Sequence, residues 1–349
     1  MGAPVQVLTV ATLDYVPQAL GLLASVRRTQ KDATPHLFVI DATPETRAQL
    51  DAALSDGWDW VNWFAPADLT AHQSLIEAAF EYYNGIEISC LAKYVGLRNL
   101  LETGGGSPVA LFDSDILLMG PLDRPRSELG ERALLLTPHA LGPGEASMEH
   151  EYLLHGWVNA GFMMANPDER SLKIMDWLID RISHRGFLAP EYGLSCDQTW
   201  VSALPVAFHD DIVLSRDPGL NVAYWNLPER PLTRDGEQIL AAGQPLTFFH
   251  LSGFDPARPD TLSAHFGVPI VPGGVVAGLA EAYTAQLREA EGVRGKLNGL
   301  PRRPVCRAPL AERIEIGATR HGIGMRSPTI RPGFLSKIAA KLESRLLRG

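Results

Sequence analysis

Residues 109–118 read VALFDSDILL: four apolar side chains running straight into two carboxylates, behind the break Gly104-Gly105-Gly106. An unbroken apolar run of this length, with no polar alternation, is the pattern of a strand buried on both faces of a parallel sheet. Carboxylates at the end of such a strand project into a cleft. In extended backbone alternate side chains share a side, so Asp113 and Asp115 reach one point while Ser114 turns away. Paired oxygens of that kind suit a hard divalent cation. The pair of letters proves nothing alone, because twenty Asp in 349 residues give about one D-x-D by chance. The alternative is a solvated turn after a strand, and the neighbouring segments must decide between the two.

Outward from that strand, the chain opens VQVLTVAT (5–12), PQALGLLASVRRTQ (17–30), HLFVID (36–41), a strand, helix and strand that predict a parallel sheet. The tract 42–54, ATPETRAQLDAAL, carries Thr43 as a cap and Pro44 in the first turn, so it predicts a helix. In 89–106, SCLAKYVGLRNLLETGGG, the residues Leu91, Tyr94, Val95, Leu97, Leu100 and Leu101 fall near one broad helical face, with Lys93 and Arg98 elsewhere and the glycines as the stop. WVNAGFMMAN (157–166) predicts a strand, SLKIMDWLIDRIS (171–183) a helix, and Cys196-Asp197-Gln198 the opening of a short helix. Residues 209–235 read as loops and short strands, LTFFHLSG (246–253) as the last core strand, and 276–291 as a helix.

Hydrophobic residues make up 46% of the chain and charged residues 20%, enough apolar material for a core and too much for a disordered protein. The net charge of −9 hides an asymmetry: residues 294–349 hold thirteen Lys/Arg against three Asp/Glu, the rest eighteen against thirty-seven. An acidic body of this kind speaks against nucleic acid as partner. Cys90, Cys196 and Cys306 are odd in number and lack ligand spacing, and the first residues lack a basic start and a cleavage site; both point to a cytoplasmic protein. The expected organisation is a domain at 1–291, a Pro/Arg/Gly-rich connector at 292–333 and a basic amphipathic helix at 334–349. In that helix Leu335, Ile338, Leu342 and Leu346 form one stripe with Lys337, Lys341, Arg345 and Arg348 outside it, a pattern suited to peripheral contact with an anionic membrane or to docking on the body.

Several segments, VATLDYVPQALGLLASVRR (10–28), AKYVGLRNLL (92–101), FDSDILLMGPLD (112–123), VNAGFMMANP (158–167), CDQTW (196–200) and FFHLSGFDP (248–256), stand in the order found in one family. Over residues 5–267 the chain resembles a GT-A-fold glycosyltransferase, nearest the retaining, metal-dependent family 8 group that includes bacterial lipooligosaccharide galactosyltransferases and glycogenin. The tract 214–232, LSRDPGLNVAYWNLPERPL, also resembles glycosyltransferase domains found beside polysaccharide-synthesis enzymes. The resemblance implies an α/β fold with a mostly parallel central sheet. It also implies transfer of a sugar from a nucleotide donor, UDP-linked, to a saccharide or lipid-linked acceptor, with Mn²⁺ or Mg²⁺ as cofactor.

Carried over by position, the resemblance makes Asp113, Asp115 and His250 the metal ligands, a donor set in which the imidazole favours Mn²⁺ over Mg²⁺. It assigns Thr9, Ala11, Thr12, Tyr15, Lys93, Asp113, Asn159 and Gly161 to the donor, with the Tyr15 ring stacking on the base. Asp197 and Gln198 stand in the catalytic position at the sugar's far side, and Trp225, Asn226, Ser252 and Gly253 contact sugar or acceptor. Each has a plainer alternative: Lys93 a surface lysine, Asp197 a helix cap, His250 a core histidine, Tyr15 and Trp225 packing. The family's lysine after His-x-x-Gly is missing, since Phe254, Asp255 and Pro256 follow; Arg258 and His265 are the two candidates to replace it. The rival readings are an inverting transferase of the same fold and a non-catalytic sugar-nucleotide or glycan-binding subunit.

Overall fold

The computed structural model describes residues 4–144 and 146–321. Its frame begins with strand β1 (Val5–Ala11), helix α1 (Val16–Thr29) and strand β2 (Ala33–Val39), then helix α2 (Pro44–Leu54) and strand β3 (Asn62–Phe64). Helix α3 (Gly85–Thr103) leads into β4 (Val109–Phe112) and β5 (Ile116–Leu118), followed by β6 (Leu134–Pro138) and β7 (Val158–Ala165). Helix α4 (Glu169–Arg185), helix α5 (Gln198–Ala207) and strands β8 (Ile212–Leu214), β9 (Val222–Ala223) and β10 (Phe248–His250) come next, and helices α6 (Val275–Glu289) and α7 (Leu310–Arg320) close the frame.

Seven strands form the main sheet in the order β8-β6-β7-β4-β1-β2-β3. β7 alone runs against its neighbours, pairing antiparallel with β4 and β6, while β1 pairs parallel with β2 and β4. The expectation of a mostly parallel sheet is met. The continuous apolar strands are explained by burial on both sides: Val109 and Leu111 of β4 join one core, Ala110 and Phe112 the other. A second, three-stranded sheet, β9-β10-β5, stands beside the carboxyl end of β4.

Helix α3 begins four residues before the expected start. Asn84 Oδ1 accepts from the Ile86 and Glu87 amides at 3.0 Å, and the Glu87 carboxylate accepts from the Asn84 amide at 2.9 Å, a reciprocal cap that starts the helix ahead of Ser89. It stops at the glycines as expected, where the Gly104 amide closes on the Leu100 carbonyl. Asp113-Ser114-Asp115 is a turn between the two sheets, not the extended segment that the sequence suggests. The Asp113 amide donates to the Gly161 carbonyl of β7 at 2.8 Å, and the Leu251 amide, just past β10, donates to the Asp115 carbonyl at 2.9 Å. Each carboxylate is thereby pinned to a different sheet.

Within the range read as a connector, residues after α6 lie against the body. The Arg303 amide donates to the Asp41 carbonyl at 2.9 Å and the Cys306 amide to the Tyr83 carbonyl at 3.0 Å. Helix α7 then docks through Arg313, ion-paired with the fully buried Glu87. The basic helix expected at 334–349 lies outside the described residues. No helix among the described residues is long and apolar enough to cross a membrane.

Candidate active site

The sheet junction gathers three side chains from distant parts of the chain. Ligand atoms of Asp113, Asp115 and His250 all lie within 4.8 Å of one another. His250 ends β10, whose register sets it opposite Ile116, so its ring arrives beside Asp115 at the turn. Its Nε2 stands 3.1 Å from Asp115 Oδ1. That oxygen is nevertheless buried without a hydrogen-bond donor. A buried, unsupplied carboxylate oxygen facing an imidazole nitrogen fits a divalent cation held between them.

The electrostatics run the same way. Burial pushes the Asp113 carboxyl up, and neighbouring Asp115 adds to that, so it sits above the ordinary range although Lys93 opposes the shift. For Asp115 burial acts upward too, but the His250 ring outweighs it and holds the carboxyl below the ordinary range. Burial pulls His250 down, yet Asp115 and Asp113 outweigh it, and the imidazole sits above its ordinary value.

Lys93 is not a surface residue. It is 7% exposed, and its Nζ donates to Asp113 Oδ1 at 3.0 Å and to the Ala160 carbonyl at 3.1 Å, and stands 2.7 Å from Asp197 Oδ2. Burial alone would discharge it, but the two carboxylates outweigh that cost and keep the ammonium charged. Asp197 precedes α5 without capping it. Its carboxylate instead accepts from the Tyr94 hydroxyl at 2.8 Å. Gln198 Oε1 accepts from the Asn159 side-chain amide at 3.3 Å and lies 3.4 Å from the Ala160 amide.

These groups line a cavity of about 650 Å³. Lys93, Asp113, Asp115, Asp197, Gln198 and His250 form its polar side, with Asn159 and Ser252 also on the wall. The rings of Tyr152, Tyr224, Trp225 and Phe266 also line it, with Trp225 packed edge-on against His250 at a centroid distance of 5.2 Å. His265 lies on the cavity wall, whereas Arg258 is exposed and paired with Asp255 at 3.3 Å, so of the two candidates for the missing lysine only His265 reaches this space.

The other named residues stand back from the wall. Thr9 and Ala11 are buried within β1, Thr12 is half-buried, and Tyr15 is 58% exposed with its ring outside the cavity. Gly161 lies behind His250, and Gly253 beneath the His265 ring. Asn226 is buried with both ends of its amide engaged: Oδ1 accepts from the Ala223 amide at 2.9 Å, and Nδ2 donates to the His139 and Asn221 carbonyls. These bonds fix the loop that carries Trp225. Two polar residues without a signal in the sequence belong to the site as well: His139 on the cavity wall and Asn221 behind it. Burial pushes the His139 imidazole down to about 3, so it is neutral there. A lone Asn in GLNVAYWN carries no periodic or spacing signal; its left-handed φ of 55° is visible only in the fold.

No family model matches the chain. Its structure is similar to that of galactosyltransferase LgtC in complex with donor and acceptor sugar analogues, at 16% identity and a TM-score of 0.53, over 83% of this chain and 99% of that one. The glycosyltransferase GlyE of Streptococcus pneumoniae TIGR4 aligns at 17% identity and a TM-score of 0.47, over 84% of this chain and 64% of that one. Uncharacterized protein YfnF of Bacillus subtilis (strain 168) is 28% identical over 102 residues, 29% of this chain and 33% of that protein, so the matched part spans about a third of the relative's length. The chain thus has the GT-A glycosyltransferase fold.

Proposed function

We propose that this chain is a metal-dependent glycosyltransferase that moves a sugar from a nucleoside diphosphate donor, UDP-linked, to a saccharide or glycolipid acceptor in surface polysaccharide synthesis. The observation that carries the reading is the convergence of Asp113, Asp115 and His250 at one cavity wall, with the Lys93–Asp197 pair beside it. A divalent ion in that cluster would supply charge neutralisation for the departing diphosphate. Asp113, Asp115 and His250 would hold it, and Mn²⁺ suits their chemistry better than Mg²⁺.

The chain's own part is positioning. Lys93, locked by Asp113, Asp197 and the Ala160 carbonyl, keeps a positive charge fixed against the polar wall. Asp197 and Gln198 line the cavity, Asp197 is oriented by Tyr94 and Lys93, and the family resemblance assigns both to the far side of the sugar. That placement suits front-side shielding of a retaining transfer or a nucleophile for a two-step one. The aromatic wall of Tyr152, Tyr224, Trp225 and Phe266 suits the apolar face of a saccharide acceptor. On this reading the protein works at the cytoplasmic side of a membrane, and the basic segment 334–349 meets anionic lipid.

The test is a screen of nucleotide sugars for Mn²⁺-dependent turnover, with EDTA as control and NMR of the product's anomeric configuration. Asp115→Ala should lower turnover by several orders of magnitude; near-wild-type turnover in that variant overturns the metal-dependent reading. An inverted product overturns retention, and donor binding without turnover across the screen favours a binding subunit.

A further inference from the structure

One layer behind the carboxylates, Gly161, Asn159, Asn221, Thr137 and His250 form a chain of hydrogen bonds that fixes their donor and acceptor roles. The Gly161 backbone amide donates to Asn159 Oδ1 at 2.9 Å, and a backbone N–H can only donate. This identifies the Asn159 oxygen. The Asn221 side chain meets that same oxygen at 2.9 Å and the Thr137 hydroxyl at 3.0 Å through one nitrogen, Nδ2. The other end of Asn221 is therefore its oxygen, which can only accept. It faces His250 Nδ1 at 3.1 Å. The imidazole must then carry its proton on Nδ1, and in the neutral ring Nε2 is the bare nitrogen, turned to Asp115 Oδ1 at 3.1 Å.

We infer that Asn221 is a positioning residue for the cation site: by accepting from Nδ1 it holds His250 in the one neutral tautomer whose Nε2 lone pair faces the Asp113–Asp115 carboxylates. This inference rests on the metal reading of the cluster and adds to it the residue that prepares the third ligand. Asn221, His250 and Asn159 are 0%, 4% and 6% exposed, so in the intact protein the acceptor for Nδ1 is the Asn221 amide and not bulk water. The ring is held in place from its other side as well, by the Trp225 indole at a 79° interplanar angle and a centroid distance of 5.2 Å. The backbone at Asn221 is part of the device. Its φ of 55° lies in the left-handed region, which Asn tolerates better than other side chains and which turns the amide back toward β10.

The experiment uses the full chain without any donor sugar. Asn221→Gly keeps the left-handed backbone and deletes the amide, so the fold has little reason to fail. Mn²⁺ binding, read by the loss of the free-ion EPR signal, should weaken by about 10- to 100-fold in that variant. Long-range ¹H–¹⁵N correlation of wild-type protein, metal-free and in alkaline buffer where the ring is neutral, should show His250 with a protonated Nδ1 and a bare Nε2. In Asn221→Gly that single-tautomer signature should relax toward a mixture, a change that mere loosening of a loop elsewhere would not produce. A wild-type ring protonated on Nε2 overturns the inference even if the variant does not fold, and so does a folded variant with unchanged Mn²⁺ affinity. Wild-type protein that shows the Nδ1–H signature but binds no Mn²⁺ overturns the metal reading itself, because the tautomer is observed without metal.

Discussion

Adding a single methyl group behind the site, Gly161→Ala, tests whether the His250 ring is held by packing. A Cβ on Gly161 would lie 2.5 Å from His250 Cε1, 2.9 Å from Nδ1 and 2.8 Å from Asn159 Oδ1. Carbon atoms rest at about 3.5–4.0 Å, so the ring must retreat by about 1 Å. The φ of this glycine lies outside the left-handed region, so the cost is steric and not a matter of backbone. Retreat is resisted on the far side by Trp225 and along the ring edge by Asn221. An overpacked site of this kind costs about 1–3 kcal/mol of stability. A displacement of about 1 Å at a reacting site also costs on the order of 100-fold in rate. Gly161→Ala should therefore melt several degrees lower in calorimetry, bind Mn²⁺ at least tenfold more weakly by EPR, and lose transfer activity to a similar degree. A variant with wild-type melting and wild-type Mn²⁺ affinity would show that the His250 ring has room to move, and the argument that packing fixes the ligand would fail.

Two further outcomes follow from buried charge. Asp41 is 3% exposed and accepts from the Leu13 amide at 2.8 Å, and burial pushes its carboxyl from 3.8 up to about 6. Because the folded value exceeds the unfolded one, the ionised form costs stability above pH 6, and the cost fades as pH falls from 6 toward 3.8. Asp41→Asn, which keeps the acceptor for Leu13, should be more stable at pH 7.5 by up to about 3 kcal/mol, with the advantage gone by pH 4 in paired melting curves; equal stability at pH 7.5 would count against it. Arg313→Leu leaves Glu87 fully buried with only the Asn84 and Leu188 amides as donors, and should destabilise by about 3–5 kcal/mol while releasing helix α7 to limited proteolysis; an unchanged melting temperature with α7 protected would refute the latch.

How much of this was legible in the sequence depends on whether the signal was local. VALFDSDILL announced a doubly buried strand because its apolar run was continuous, and the structure sends its side chains into two cores. The glycine stop of α3 was legible for the same reason, while its start was not, since Asn84 and Glu87 act as a cap only once their side chains turn back on the backbone. Lys93 shows the limit of helical periodicity: it falls off the apolar face and so reads as solvated, yet that side of α3 meets the site rather than water. The ligand set was reached through resemblance, because no spacing rule links residue 113 to residue 250. Asn221 was missed altogether; its role is a chain of donor and acceptor assignments through Thr137, Asn159 and Gly161, and those residues are neighbours only after β6, β7 and the 214–232 tract have packed.

The charge balance at the junction bears on the metal reading. Asp113, Asp115 and Asp197 bring three negative charges to a partly buried junction, and Lys93 returns one positive charge. With His250 neutral, two charges remain uncompensated, which a divalent cation would balance. Without it the His250 imidazole is drawn toward its protonated form by Asp115, the substitute cation that the chain itself can provide. The burial of Lys93 between Asp113 and Asp197 also ties the two halves of the cavity wall, since its partners come from the end of β4 and the start of α5. Removing that amine as Lys93→Met would leave two carboxylates facing each other across an apolar gap. Such a break costs more than a lost contact, because the remaining charges repel in a medium that screens them poorly. The same ammonium that holds the wall together is thus also what allows a third carboxylate, Asp197, to sit beside the Asp113–Asp115–His250 cluster.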